Sequence, residues 1–512
     1  MSSHKQSKDQ GGLSGFGREA GSLAMSGPSA SGERAEGLAY FARFGVDERM
    51  LREAIACALT RGGDWADLFF EHGVSQSIAL RDGAVNAASS GVSLGVGIRV
   101  VSGHQTGYAY SEDLSREAVL SAARSAALIA EGAQPSATPQ SFNLTPHSAR
   151  YPIEREWMSV GVDQKIPILQ RLNREAFDAD PRIQKVQVSM SHSDSVIFIV
   201  ESSGATHFDR QPMTRMAMSV TAVQGEGDQV RRESNSANIA ARAGFEFLTE
   251  DRLTSLRQKA VERTLFLFDA EIAPVTGELP VVLGAGAAAI LLHEAIGHGM
   301  EADFNRKDIS IYSERVNQRI APEGVTIIDD GTRQGDRGAI NVDDEGVDGQ
   351  QTVLVEDGIL RSYMHDRISA KHYGVAPTGN GRRESFRHAP VPRMRSTYMT
   401  AGQHDPQDII KSVKKGVYAE SFTNGQVMIG AGDFTFYIKT GYMIEDGRLT
   451  RPIKDTNIIG NGPDILERTD MVGSDFAFDH GGWVCGKDGQ SVPVSLGMPT
   501  VRVAGITVGG VS

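Results

Sequence analysis

Two histidines and a glutamate stand within six residues of one another, His293, Glu294 and His298, in the stretch LLHEAIGHGMEADFN from Leu291 to Asn305. Imidazole nitrogens are zinc ligands, and a carboxylate beside them can take a proton from a water on the metal; together they are the parts of a hydrolytic site. The residues that must position them come just before. Leu279 to Leu283 (LPVVL) reads as a buried strand, and the small-residue run Gly284 to Ala289 leads into a helix. A helix this apolar ends by burying three polar side chains, which need partners, and a metal is a common one.

The spacing itself constrains the backbone. Histidines at i and i+4 lie about 40° apart around a helix of 3.6 residues per turn, whereas i and i+5 are roughly 140° apart. An undistorted helix would aim His293 and His298 in different directions. A π-bulge of one residue would restore a common face, with Gly297 giving the backbone freedom for it. Alternatively the helix ends there, His298 lies in the turn, and Gly299 is the cap residue.

Two histidines leave a zinc site short of a third protein ligand. The Gly-rich segment DHGGWVCGKDGQ (479–490) offers Cys485, and two imidazoles, a thiolate and a water make a tetrahedral site with one open position. Glu301, Asp303 and His480 compete for the same place.

Two charged segments have other readings. The acidic stretch 329–350 (DDGTRQGDRGAINVDDEGVDGQ) sets Asn341, Asp343 and Glu345 before Gly346, a loose echo of an EF-hand loop. The twelfth position is Thr352 rather than Glu and no helices flank it, so a flexible turn region is expected instead of a calcium site. The basic stretch 379–395 (GNGRRESFRHAPVPRMR) carries Arg382, Arg383, Arg387, Arg393 and Arg395. Either it is a solvated loop that balances an acidic surface, or some of its guanidiniums bind a peptide carboxylate or a partner's acidic surface.

Composition sets the outer bounds. A chain of 512 residues, 40% hydrophobic and 23% charged, has room for two or three domains and a large core. The formal net charge of −12 argues against nucleic-acid binding as the main role. The longest uncharged apolar stretch, Leu279 to Leu292, is fourteen residues, too short to cross a bilayer. With only Cys57 and Cys485 there is no disulfide framework, which fits a reducing cytoplasm. Cys57 lies on the apolar face of a helix and reads as a small core residue. Residues 1–36 are rich in Gly and Ser, lack the apolar core of a secretory signal, and read as a disordered tail, with Met25 as a second candidate start.

Periodicity divides the rest into an α+β domain over 37–275 and a β-rich domain over 276–512 that carries the H-E-x-x-x-H helix. In the first, helices are expected over Leu38–Arg61, Asp113–Glu131, Asp163–Phe177 and Phe245–Phe268. Strands are expected over 65–72, 75–81, 91–101, 105–110, 186–192, 195–201, 206–209 and 213–223, with a Pro/Ser/Thr-rich connector over 134–152. Helices packed on antiparallel sheet are the simplest layer structure for this half. In the second, short strands separated by Gly and Asp turns dominate, with one small helix over Ile409–Lys415 and no internal repeat.

HEAIGHGMEAD and CGKDGQSVPV together resemble the signatures of the TldD/PmbA family of zinc peptidases. DDEGV (343–347), TGNGRRES (378–385), GVGIRV (95–100) and ITVGG (506–510) match as well, so the resemblance runs from about Leu38 to the end. RMRST at 393–397 departs from the family pattern, which has Asn before the Thr. One subunit type of the family carries H-E-x-x-x-H and the distant Cys; this chain resembles that metal-bearing, TldD-like type. The resemblance implies His293, His298 and Cys485 as zinc (Zn2+) ligands and Glu294 as general base. It further implies an N-terminal α/β domain, a β-rich metallopeptidase domain, and subunits paired around a chamber that admits unfolded or short peptides. The pair would be a heterodimer with a metal-free PmbA/TldE-like homologue, or a homodimer. A cytoplasmic zinc peptidase is therefore expected, with neither nucleic acid nor membrane as partner. The alternative is a non-catalytic scaffold with a structural zinc, and Glu294 separates the two: a closed structural site has no use for a carboxylate beside its first ligand.

Overall fold

The computed structural model describes residues 36–130, 137–428 and 431–509. The tail expected over 1–36 lies outside these residues except for its last, Glu36, which opens a helix, and so does the part of the 134–152 connector before residue 137.

The α+β reading holds. The N-terminal half is one seven-stranded sheet whose long strands run in the order Gln105–Ser111, Ala84–Ser102, Trp65–Arg81, Ile183–Glu201, Ala205–Gln224. Arg231–Ala241 pairs with the last of these, and Asn143–Leu144 adds a short parallel pairing at Ala205 and Thr206. Pairs of strands expected separately are single strands here: 65–72 with 75–81, 186–192 with 195–201, and 206–209 with 213–223. The reason lies across the sheet. Val74 pairs with Asp194 and Asp194 with Pro212, while Gly73 pairs with Ser195 and Ser93. A band of small and polar residues thus crosses the middle of the strands and interrupts the apolar alternation without ending the pairing. Pro212 is tolerated because its strand has a ladder neighbour on one side only at that point.

Because strand side chains alternate, each face has its own partner. Leu68, Phe70, Val196, Phe198 and Val200 form one core with helices Glu48–Ala58 and Arg116–Ala127. Val186, Val188, Met190, Met216, Met218 and Val220 form another with helices Val162–Ala179 and Glu250–Asp269. Both helix pairs cover the same face at opposite ends of the strands. The helix expected over 38–61 is two, Glu36–Ala42 and Glu48–Ala58, because Gly45 turns the chain at φ +84° and Asp47 caps the second by accepting the Met50 N–H at 2.7 Å. The helix expected from Phe245 begins at Glu250 after a single tight turn. Strand Arg231–Ala241 escaped detection since it buries only three alanines, Ala237, Ala240 and Ala241.

In the C-terminal half, five strands close into a small barrel: Gly277–Leu283, Val501–Gly509, Thr456–Asn461, Asp433–Glu445, Lys415–Met428, and back to the first. Beside it lies a six-stranded sheet that includes Ile327–Asp330, Ser396–Met399 and Ser495–Met498. The helical segment 289–300 is held between barrel and sheet, with Leu291, Leu292, Ala295 and Ile296 in one apolar cluster with Met399, Met498 and Ile465. Strands dominate this half as expected, and the small helix is Pro406–Lys411 rather than 409–415.

The two halves meet on the sheet face opposite the helices, through buried charge. Arg99 sends Nε to Asp67 at 2.6 Å and Nη1 to Glu345 of the C-terminal half at 2.5 Å, while Arg383 reaches the other Asp67 oxygen at 3.2 Å. This corrects the reading of the acidic stretch as a flexible turn. Asp343 and Glu345 are fully buried, and Asp343 accepts backbone N–H groups of Glu345, Val347 and Gly381. The basic stretch is no solvated loop either: Arg382, Arg383, Arg393 and Arg395 are buried, and only Arg387 reaches outward, to Glu112. Cys57 packs at the edge of the N-terminal core.

Removing one member of a buried ion cluster leaves its partners charged and unpaired. Arg99→Ala is expected to cost about 3 kcal/mol or more of unfolding free energy, seen as a lower denaturant midpoint. A midpoint within error of the parent protein would contradict a structural role for this junction.

Candidate metal centre

The H-E-x-x-x-H segment is built as its spacing requires. A short α-turn, Ala289–Leu292, passes into a π-turn over His293–Gly297 and then a 3-10 turn over His298–Met300, before the backbone turns extended at Glu301. Widening the turn turns the i and i+5 side chains to one side, and the two imidazoles sit 5.1 Å apart, centroid to centroid, at 78°. Gly297 serves this differently from the sequence expectation. Its φ of −59° is ordinary for a helix; what it supplies is room, because a Cβ there would lie 2.3 Å from Met394 Sδ.

Cys485 arrives from the far end of the chain on a two-stranded hairpin, Val484–Lys487 paired with Gln490–Pro493. Asp488 and Gly489, with φ of +50° and +73°, make its two-residue turn. Alternation along the strand aims Cys485 and Lys487 to the same side. Cys485 Sγ lies 3.4 Å from His298 Nε2. One donor atom from each of His293, His298 and Cys485 falls within 4.8 Å of the others, and all three side chains are buried.

The donor set fits a metal on two counts. Neither ring nitrogen of the buried His293 has a hydrogen-bond partner among the described residues, an expensive arrangement unless a cation accepts its lone pair. Burial alone would raise the Cys485 thiol, but its interactions with His293 and then His298 more than offset that and bring it down to about 4, which favours the thiolate that a metal binds.

Around the donors stands a layer of support. His298 Nδ1 is 3.0 Å from Glu301 Oε2, which directs Nε2 toward Cys485. Lys487 Nζ donates to the same Glu301 oxygen at 3.1 Å, to Asp303 at 2.6 Å and to the Pro392 carbonyl at 3.1 Å. Burial would raise Glu301, yet Lys487 and His298 bring it down to about 2. Arg393 donates to the Cys485 carbonyl and approaches Glu301 at 3.9 Å. Glu301 and Asp303, weighed above as third ligands, therefore belong to this support, and His480 is exposed outside the cluster. Lys487 and Arg393 were not singled out for the site from the sequence, although Lys487 stands at i+2 from Cys485 and so on the same strand face. Glu294 differs from the donors: its side chain is 30% exposed, with Oε2 3.8 Å from His298 Nε2.

Profiles of the PmbA/TldA metallopeptidase family match residues 66–130 (domain 1), 156–266 (central domain) and 276–510 (C-terminal domain). The chain is 40% identical over 456 residues to a Haemophilus influenzae protein named metalloprotease TldD homolog, covering 88% of this chain and 94% of that one. It is 33% identical over 295 residues to a Saccharolobus solfataricus protein named zinc metalloprotease TldD homolog, covering 57% and 65%. The crystal structure of TldE from Thermococcus kodakarensis shares the fold, with a TM-score of 0.70 at 18% identity over 90% of this chain and 99% of that one.

Carboxylates that orient a metal-bound histidine typically account for 10–100-fold in metal affinity. Glu301→Gln, which keeps shape and removes charge, is expected to weaken metal binding by about that factor in a competitive chelator titration. Unchanged affinity would mean that Glu301 only balances Lys487.

Proposed function

The chain belongs to the PmbA/TldD metallopeptidase family, and within it we propose that this protein is a zinc peptidase in which His293, His298 and Cys485 hold the metal and Glu294 is the general base. The observation that carries the reading is the division of labour at the site: three buried donors converge, and the one remaining functional group, Glu294, lies on the side open to solvent. Only three donors cluster there among the described residues, which leaves a fourth position for substrate or water, as catalytic zinc sites do and structural ones do not. When bound, zinc supplies Lewis acidity, acidifying a water and polarising a carbonyl oxygen. Glu294 takes the proton from the attacking water and returns it to the departing amine. Glu301 keeps His298 in the tautomer that offers Nε2, and Lys487 keeps Glu301 ionised. Zinc is also the metal in the name of the Saccharolobus relative.

The substrates we infer are unfolded or short peptides, reached inside a chamber between paired subunits. The similarity of fold to TldE supports a metal-free homologue as partner, with a second copy of this chain as the other possibility. A cytoplasmic setting accords with two unpaired cysteines, and no helix among the described residues is long and apolar enough to cross a membrane. Nucleic acid has little to bind in the 379–395 segment, since four of its five arginines are buried.

Replacing Glu294 by Gln should keep zinc bound yet lower peptide hydrolysis by at least about a hundredfold, assayed on extended peptides together with any co-purifying partner. Near-normal turnover by the zinc-loaded variant would remove Glu294 from the mechanism. Cys485→Ala should lose zinc and activity together, whereas Cys57→Ala should lose neither, as metal analysis of the purified proteins will tell. Full zinc occupancy in Cys485→Ala would exclude the thiolate as a ligand.

A further inference from the structure

Four arginines in the seam between the halves have guanidinium groups with no direct ion pair among the described residues. Arg242, Arg337, Arg382 and Arg395 are 4%, 7%, 3% and 2% exposed, and all line one cavity of about 310 Å³. None of their guanidinium nitrogens lies within 4.0 Å of a carboxylate oxygen among the described residues; Asp344 acts on Arg382, and Asp344, Asp343 and Asp329 on Arg395, from farther away, and the side-chain bonds go to uncharged acceptors. Arg382 donates to the carbonyls of Met394 and Pro493, Arg395 Nε to that of Gly379 at 3.0 Å, and Arg337 Nε to that of Trp483 at 3.0 Å. Arg242 has one long bond, to Gln211 at 3.4 Å. Arg242 Nε and Arg395 Nη2 are buried with no hydrogen-bond partner among the described residues. Their neighbours Arg99 and Arg383 show what a structural arginine does in the same seam: each is bonded to Asp67.

Buried charges are ordinarily paired, and these repel one another. Burial and then the other guanidiniums lower Arg382, and burial followed by Arg215 and Arg242 brings Arg337 down to about 10. An anion in the cavity would relieve both. We propose that this cavity binds a carboxylate group. A guanidinium fork matches a carboxylate in two parallel hydrogen bonds. A phosphate suits it less: no helix begins in its wall, and Glu71, Asp344 and Glu384, which also line it, would oppose a dianion more than a singly charged carboxylate.

The place of the cavity indicates where the carboxylate comes from. The hairpin carrying Cys485 borders it, with Val484, Ser491, Val492 and Pro493 in the lining, and Val484 immediately precedes the metal-cluster residue. An extended peptide advances about 3.3 Å per residue, so a cavity bordered by the Cys485 hairpin is placed to hold a carboxylate of the same peptide whose bond is cut. Its favoured source is the free C-terminus of the peptide, and this assignment, unlike the site itself, rests on the peptidase reading.

The test is binding to zinc-loaded Glu294→Gln protein, by calorimetry, of N-acetyl-penta-alanine as the free acid and as the carboxamide. An amidated peptide with a central Glu and sodium acetate as competitor complete the set. The acid is expected to bind at least about tenfold more tightly than the amide, the range of a charge-assisted hydrogen bond, with acetate competing. Arg337→Gln and Arg395→Gln, added singly, should abolish the difference and retain zinc. Tight binding of the amidated Glu peptide would support the site and assign it to acidic side chains. Equal binding of acid and amide without effect of acetate, or an advantage that persists in both arginine variants, would overturn the proposal. Should the variants not fold, the acid–amide comparison before and after chelation decides: an advantage that survives belongs to the cavity, one that vanishes belongs to the metal. Because no arm requires hydrolysis, a failure of the peptidase reading leaves this result standing or falling by itself.

Discussion

The contact between His298 Nδ1 and Glu301 is the constraint around which the C-terminal half is arranged. An imidazole buried beside a thiolate can offer a lone pair in a fixed direction only if its other nitrogen is held. The carboxylate that holds it is itself buried and must be kept ionised. Lys487 and Arg393 meet that second need, and each brings its own segment of chain to the site. Lys487 lies on the strand that carries Cys485, so the residue that stabilises the carboxylate and the residue that completes the donor cluster arrive together. Arg393 bonds the Cys485 carbonyl and fixes the height of that strand against the helix end. Removing any one of these charges would strand the rest in a medium that penalises them.

The same logic explains the local distortion. A regular helix would separate His293 from His298, and the π-turn that unites them is held by contacts on both flanks: Met394 against Gly297, and Ala295 against Gly462. Barrel and sheet close on the segment from opposite sides, so the rigid parts of the fold hold the irregular one. The interface between halves repeats the principle at larger scale, with Arg99 shared by Asp67 and Glu345 across the seam.

What the sequence disclosed follows from what is local. His293, Glu294 and His298 are adjacent, their spacing implies a particular backbone, and that backbone is present. Helices with a strong apolar stripe, such as Val162–Ala179, were visible to within a few residues. The breaks placed in the long strands were an error with a cause, since a polar band shared across strands cannot be told from a turn when one strand is read alone. The arginine-rich and acidic segments were misjudged for the same reason. Burial of Arg393 or Glu345 depends on partners scores to hundreds of residues away, and composition along the chain says only that such segments are charged. Cys485 could be singled out because two histidines leave a zinc site one protein donor short, and it does lie beside them; Lys487, two residues on, was within reach of the same argument.

The account rests on a metal held by two imidazoles and one thiolate with a fourth position open. X-ray absorption at the zinc edge of the purified, zinc-loaded protein measures that shell directly. It should give one sulfur at about 2.3 Å with two nitrogens and one lighter donor at about 2.0–2.1 Å. A shell without sulfur, or one with more than a single sulfur, would contradict it.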